Sequence, residues 1–93
     1  MIEIIILGTA CMQPTKERNH VGILLRYKNE NILFDCGENI QRQLRIAGLQ
    51  PAKITKLFIS HWHGDHVLGI PGLMSSMGAD QSSQTLKIYG PKG

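Results

Sequence analysis

Ser60-His61-Trp62-His63-Gly64-Asp65-His66 is the stretch on which the reading of this chain turns. It gathers three imidazoles and one carboxylate, from His61, His63, His66 and Asp65, and these donor types suit zinc and related borderline ions. An aliphatic run, Ile54 to Ile59, precedes it and a helical pattern follows, which places it in the turn between a strand and a helix. Alternation on an extended turn aims His61 and His63 at one ion. Asp65 and His66, on the next bend, face a second, and Gly64 gives the bend its backbone freedom. Such a concentration of polar groups with no metal would need other partners, so a surface loop of ordinary histidines is the weaker reading. A catalytic zinc takes about three protein ligands and a water, so two ions need more groups than this stretch supplies. The chain is therefore expected to carry half a site. The remainder would come from another chain or from a segment absent from this one, or would be missing.

Upstream, Ile2 to Leu7 is a short apolar run ended by Gly8 and suits a strand buried on both faces. Thr9 to Asn19 has no period and reads as a loop. Val21 to Tyr27 and Ile32 to Phe34, separated by a turn over 28–31, read as a hairpin. Asp35, three residues before Glu38, resembles a capping box, and a helix of about three turns is expected after it. Ile40, Leu44 and Ala47 would face inward, Gln41, Arg42 and Arg45 would face water, and Gly48 would stop the helix. Downstream, a helical pattern begins at Val67 and runs through Ile70, Met74 and Met77, with Gly69, Pro71 and Gly72 interrupting its first turns. Leu86 to Tyr89 reads as a last strand. The order β, ββ, α, β, α, β implies an α/β arrangement, a mixed sheet with helices on one face and its other face uncovered. No repeat or linker divides the chain, so residues 1–93 carry no internal boundary.

The 93 residues hold 10 Lys+Arg and 7 Asp+Glu, a net charge of +3, with 42% hydrophobic and 18% charged residues. That composition excludes intrinsic disorder, and the length excludes several domains. No run approaches the roughly 20 apolar residues of a membrane span. The start has no basic segment and no long apolar core, which gives the cytoplasm as the expected location. Cys11 and Cys36 read as free thiols, one in a loop and one a small buried hydrophobe. The modest positive charge permits a nucleic-acid partner without arguing for one.

His-x-His-x-Asp-His after a strand resembles the metallo-β-lactamase superfamily, whose fold is an αββα sandwich. The flanking residues narrow the likeness to ribonuclease Z, the zinc-dependent endonuclease family that trims precursor tRNA at its 3′ end. Leu7-Gly8-Thr9 with Pro14-Thr15-Lys16-Glu17-Arg18-Asn19 carry it, as do Phe34-Asp35-Cys36-Gly37-Glu38 with Gln41 and Gln43. The histidine stretch itself and Gly69-Ile70-Pro71-Gly72-Leu73 complete it. Departures are Asn39-Ile40 where the family has Gly-Thr, Trp62 in place of Leu, and Lys92 in place of Pro.

The resemblance implies that the chain is the N-terminal half of such a sandwich. It implies two Zn2+ ions per complete site, with His61 and His63 on one, Asp65 and His66 on the other, and Asp65 as general base. Lys16, Arg18 and Asn19 would form a loop that handles the tRNA 3′ end, and the usual assembly would be a homodimer. The family's later metal ligands, its general-acid histidine and its tRNA-binding arm would lie outside these residues. Asp35 reads equally as the helix cap and as a carboxylate that orients a ligand imidazole through its far nitrogen. Glu38, Gln41 and Gln43 read as helix-start and surface residues, His20 as an ordinary loop or strand-edge histidine, Trp62 as packing beside the metal loop, and Met74 and Met77 as core. Two rivals stand beside the nuclease. One is another hydrolase of the same fold acting on small phosphodiesters or esters, and the other is a catalytically silent truncated chain.

Overall fold

Among the described residues, β-branched and aliphatic side chains build five strands, β1 (Ile2–Gly8), β2 (Gly22–Tyr27), β3 (Glu30–Phe34), β4 (Ile54–Phe58) and β5 (Lys87–Tyr89). The structure is a computed structural model and describes residues 1–80 and 85–92. The strands form one sheet in the order β1-β2-β3-β4-β5, antiparallel across the first three and parallel across the last three. A two-residue turn, with Lys28 at φ 56°, closes the β2–β3 hairpin, so Glu30 already pairs with Tyr27 and the expected turn over 28–31 is shorter.

The parallel strands need crossovers. From β3 to β4 the chain passes through α1 (Ile40–Ile46) and a single 3-10 turn (Pro51–Lys53); from β4 to β5 it passes through α2 (Gly64–Val67) and α3 (Ile70–Ala79). Ile40 and Leu44 of α1, and Leu73 and Met77 of α3, are buried in one cluster with Leu24, Leu33 and Leu57 of the sheet. Both crossovers thus cover the same face, as expected. Of the anticipated core methionines, Met77 is buried and Met74 is exposed.

The opposite face is open and apolar. Register places Ile6, Ile23, Phe34, Phe58 and Tyr89 in one row across all the strands. The rings of Phe34 and Phe58 stack at 5.4 Å between centroids, and those of Phe58 and Tyr89 at 5.0 Å. Here the expectation of a strand Ile2 to Leu7 buried on both faces fails: Ile2, Ile4 and Ile6 are 60%, 66% and 58% exposed. β1 is an edge strand, and its alternate isoleucines lie on the face that the helices do not cover.

Local signals also yielded to tertiary ones around α1. The capping box between Asp35 and Glu38 does not form; the residue before the helix is Asn39, in the left-handed region at φ 64°, with no side-chain cap. Asp35 spends its carboxylate elsewhere. The helix is two turns rather than three, so Ala47 is exposed beyond its end, and Gly48 at φ 78° stops it as expected. Gln41 is half-buried rather than solvent-facing, and Gln43 Nε2 donates to Leu7 O at 2.8 Å, tying α1 to β1. The helical pattern from Val67 is split, with α2 beginning at Gly64 and the break falling at Leu68–Gly69.

Candidate metal centre

Parallel strands emerge at one end of the sheet, and the C-terminal ends of β3, β4 and β5 bring Asp35, Ser60–His61 and Gly90–Pro91 side by side. Sheet pairing continues one step past the strands: Asp35 N donates to Phe58 O and Ile59 N to Tyr89 O, both at 2.8 Å. The loop after β3 also holds the helical segment of the histidine stretch. Cys36 N donates to His66 O at 2.8 Å, and Gly69 N donates to Cys36 O at 3.0 Å. Gly69 is required here by contact, since a Cβ would lie 1.8 Å from Gly37 O.

On this frame the imidazoles of His61 and His63 meet at 4.4 Å between centroids and those of His61 and His66 at 4.0 Å. Asp65 is buried, with Oδ2 3.3 Å from His66 Nε2. Asp65 and His66 lie in the first turn of α2. Donor chemistry fits a borderline divalent ion, because imidazole nitrogens and a carboxylate share one edge of the sheet. Among the described residues, however, no three His, Cys, Asp or Glu side chains are arranged as a ready ligand set. The rings pack against one another, tilted by 50° and 78°, instead of fanning around a point.

Behind the rings Asp35 is held at φ 62°, a costly backbone for a residue other than glycine. Its Oδ1 accepts from Ser60 N at 2.8 Å, and its Oδ2 lies 2.9 Å from His66 Nδ1. Burial opposes its ionisation, yet the Ser60 amide, the His66 ring and the Ser60 hydroxyl together hold the Asp35 carboxyl below its usual value. Next to it Cys36 is fully buried, and loss of solvent, with the Asp35 charge, pushes its thiol up to about 12. Cys11 is exposed, which matches the reading of both cysteines as free.

Lys16, Arg18 and Asn19 do not join the histidines. They line a separate concavity of about 280 Å³ with Arg42 and Gln43 of α1. Arg18 Nη1 donates to Thr9 Oγ1 at 3.3 Å, and Asn19 Nδ2 to Glu38 O at 2.7 Å, so the Asn19 amide serves the loop. Beside His63 and Asp65 lies an open cavity of about 370 Å³, walled by Met12, His20, Glu38 and Leu68. His20 is buried there, its Nε2 3.1 Å from Met12 O. Sequence reasoning passed over Ser60, Met12 and Leu68. Only Ser60 left a signal, as a hydroxyl directly before the first histidine at a strand end.

Sheet order, one-sided helices and a histidine stretch at the end of β4 define a chain of the metallo-β-lactamase fold, represented by its N-terminal part. YhfI of Bacillus subtilis, described as a metallo-beta-lactamase fold protein, superposes with a TM-score of 0.82 at 25% identity over 96% of this chain and 37% of its own. The chain belongs to the family described as Anti-Pycsar protein Apyc1, whose model matches residues 2–93. It is 53% identical to Ribonuclease Z of Methanothermobacter thermautotrophicus across all 93 residues, which span 30% of that relative's length. The short form of human tRNase Z superposes with a TM-score of 0.89 at 42% identity, over 100% of this chain and 36% of that one. These likenesses bear out the resemblance to ribonuclease Z. Among the described residues no helix is long and apolar enough to cross a membrane.

Proposed function

We propose that the chain is the metal-holding N-terminal part of a zinc-dependent endoribonuclease that cleaves precursor tRNA at its 3′ end in the cytoplasm. The observation that carries this reading is the convergence of His61, His63, Asp65 and His66 at the end of β4, in a chain 53% identical to a ribonuclease Z. His61 and His63 would hold one ion, Asp65 and His66 the other, and further ligands would come from residues outside these 93 or from a second chain. When bound, two zinc ions supply Lewis acidity that eases deprotonation of water and offsets charge on the leaving oxygen. The Asp65 carboxylate orients the attacking water and accepts its proton. Lys16 and Arg18, in their own concavity, would meet phosphates of the RNA, and Asn19 would shape that loop through Glu38. A homodimer is the proposed assembly.

Asp65→Ala in the complete protein is expected to lower precursor-tRNA cleavage by about 10²-fold or more, the scale of general-base loss, while tRNA binding stays within a few-fold. Retained turnover refutes Asp65 as the base. A second reading has an observation of its own, because the cavity beside His63 and Asp65 excludes Lys16 and Arg18 and is small enough for a small phosphodiester. Turnover of small phosphodiesters without cleavage of precursor tRNA would establish it. Four ligand groups are too few for two ions, which motivates the silent-chain reading for the 93 residues in isolation. Metal content after dialysis decides that point: about two retained ions refute it.

A further inference from the structure

Ser60 has a hydroxyl with one hydrogen and four polar neighbours. Its Oγ lies 3.1 Å from Asp35 Oδ1, 2.9 Å from Asp35 Oδ2, 3.0 Å from His61 Nδ1 and 3.4 Å from His66 Nδ1. An ionised carboxylate only accepts hydrogen bonds, so the hydroxyl hydrogen goes to Asp35. What remains on Oγ is lone pairs, and a ring nitrogen 3.0 Å away must then be the donor. His61 is thereby required to carry its proton on Nδ1, which leaves the Nε2 lone pair free on the other side of the ring.

The same carboxylate treats His66 alike, but directly, with Nδ1 2.9 Å from Oδ2. The Nε2 of His66 faces a second carboxylate, 3.3 Å from Asp65 Oδ2. Asp35 therefore reaches one imidazole itself and the next through Ser60. The Ser60 amide, donating to Oδ1 at 2.8 Å, fixes the carboxylate in the plane from which it does both.

We propose that Ser60 is a positioning residue that relays the Asp35 carboxylate to His61 and selects the His61 tautomer with Nε2 free to take a divalent cation. This rests on the reading of His61 as a ligand, yet its first test needs neither metal nor RNA. Histidine rings held by a donor or acceptor on one nitrogen present the other, and partners of this kind tune metal affinity by 10- to 100-fold.

The experiment is long-range ¹H–¹⁵N correlation of the histidine side chains in the metal-free 93-residue chain, followed by titration with Zn2+ alone. The expected wild-type spectrum shows His61 and His66 both protonated at Nδ1. In Ser60→Ala His61 moves to the Nε2–H form while His66 keeps its Nδ1 proton, and Zn2+ affinity falls about 10- to 100-fold. Ser60→Thr, which keeps the hydroxyl, returns the spectrum and brings affinity to within a few-fold of wild type. A wild-type His61 protonated at Nε2 overturns the proposal without any variant, so a Ser60→Ala chain that fails to fold still leaves it decided. An unchanged His61 spectrum in a folded Ser60→Ala chain also overturns it. Absence of precursor-tRNA cleavage by the complete wild-type protein, alongside the expected tautomers, would refute the nuclease reading and leave this relay standing.

Discussion

Replacing Gly69 by alanine tests the clamp between the loop after β3 and the histidine stretch. The added Cβ would sit 1.8 Å from Gly37 O, 2.7 Å from Gly37 C and 3.0 Å from Cys36 O. All three are backbone atoms, which cannot swing aside as a side chain does, so the two segments must part by roughly 1.6 Å to reach ordinary contact. Overpacking of this kind costs about 1–3 kcal/mol. Parting also lengthens the bonds from Gly69 N to Cys36 O and from Cys36 N to His66 O, each worth about 1 kcal/mol net. Against this, alanine at an ordinary helical φ regains at most about 1 kcal/mol of unfolded-chain entropy. The balance is a loss of about 3 kcal/mol, or a fall in Tm of about 12–24 °C for a chain of this size. Urea unfolding followed by circular dichroism measures it. The control lies in α3, which Gly69 immediately precedes: a Cβ on Gly78 meets nothing within 4 Å, so Gly78→Ala should be neutral or stabilising by up to about 1 kcal/mol. A Gly69→Ala chain within about 0.5 kcal/mol of wild type would show that the close approach is not a constraint on the fold.

Two further outcomes follow from the same region. With Cys36 buried and its thiol pushed up to about 12, a thiol reagent at neutral pH should label Cys11 at once and Cys36 only at the rate of unfolding; fast labelling of both would refute the burial. Asp35 is held below its usual value, so its contribution to stability is complete above the ordinary aspartate pKa of about 4 and is lost as pH falls through the lower native value. Asp35→Asn should therefore destabilise by about 2 kcal/mol near neutrality, with the gap to wild type closing at acid pH, and a gap independent of pH would contradict it.

The sequence made the candidate centre legible because its histidines and Asp65 sit within a few consecutive residues, where one turn brings them together. Asp35 and Ser60 are 25 positions apart, and only the parallel pairing of β3 with β4 makes them neighbours. That pairing is a tertiary fact. For this reason Asp35 looked equally like a cap for α1, and the cap lost to stronger charge-assisted bonds with Ser60 and His66. β1 was legible as a strand from its isoleucines, but periodicity cannot say whether a second layer covers them. An unbroken apolar run fits a sheet enclosed on both faces, and this chain encloses one. Lys16 and Arg18 were read into the site from resemblance, and only the fold could assign them a concavity of their own.

Trp62 gives the histidine loop an optical handle. It is the chain's one tryptophan, so all indole emission has a single source. Its Nε1 donates to Pro91 O at 2.8 Å, and its ring lies against Gly90 so closely that a Cβ there would be 2.5 Å from the ring edge. The indole thus bridges the residue between His61 and His63 to the end of β5, with 44% of its surface still in water. Any event that pries the histidine loop from the sheet edge must move that ring between two solvent environments. The wavelength of its fluorescence is therefore a native gauge of whether the loop is docked, read without a label and at the concentrations where the chain is monitored for anything else.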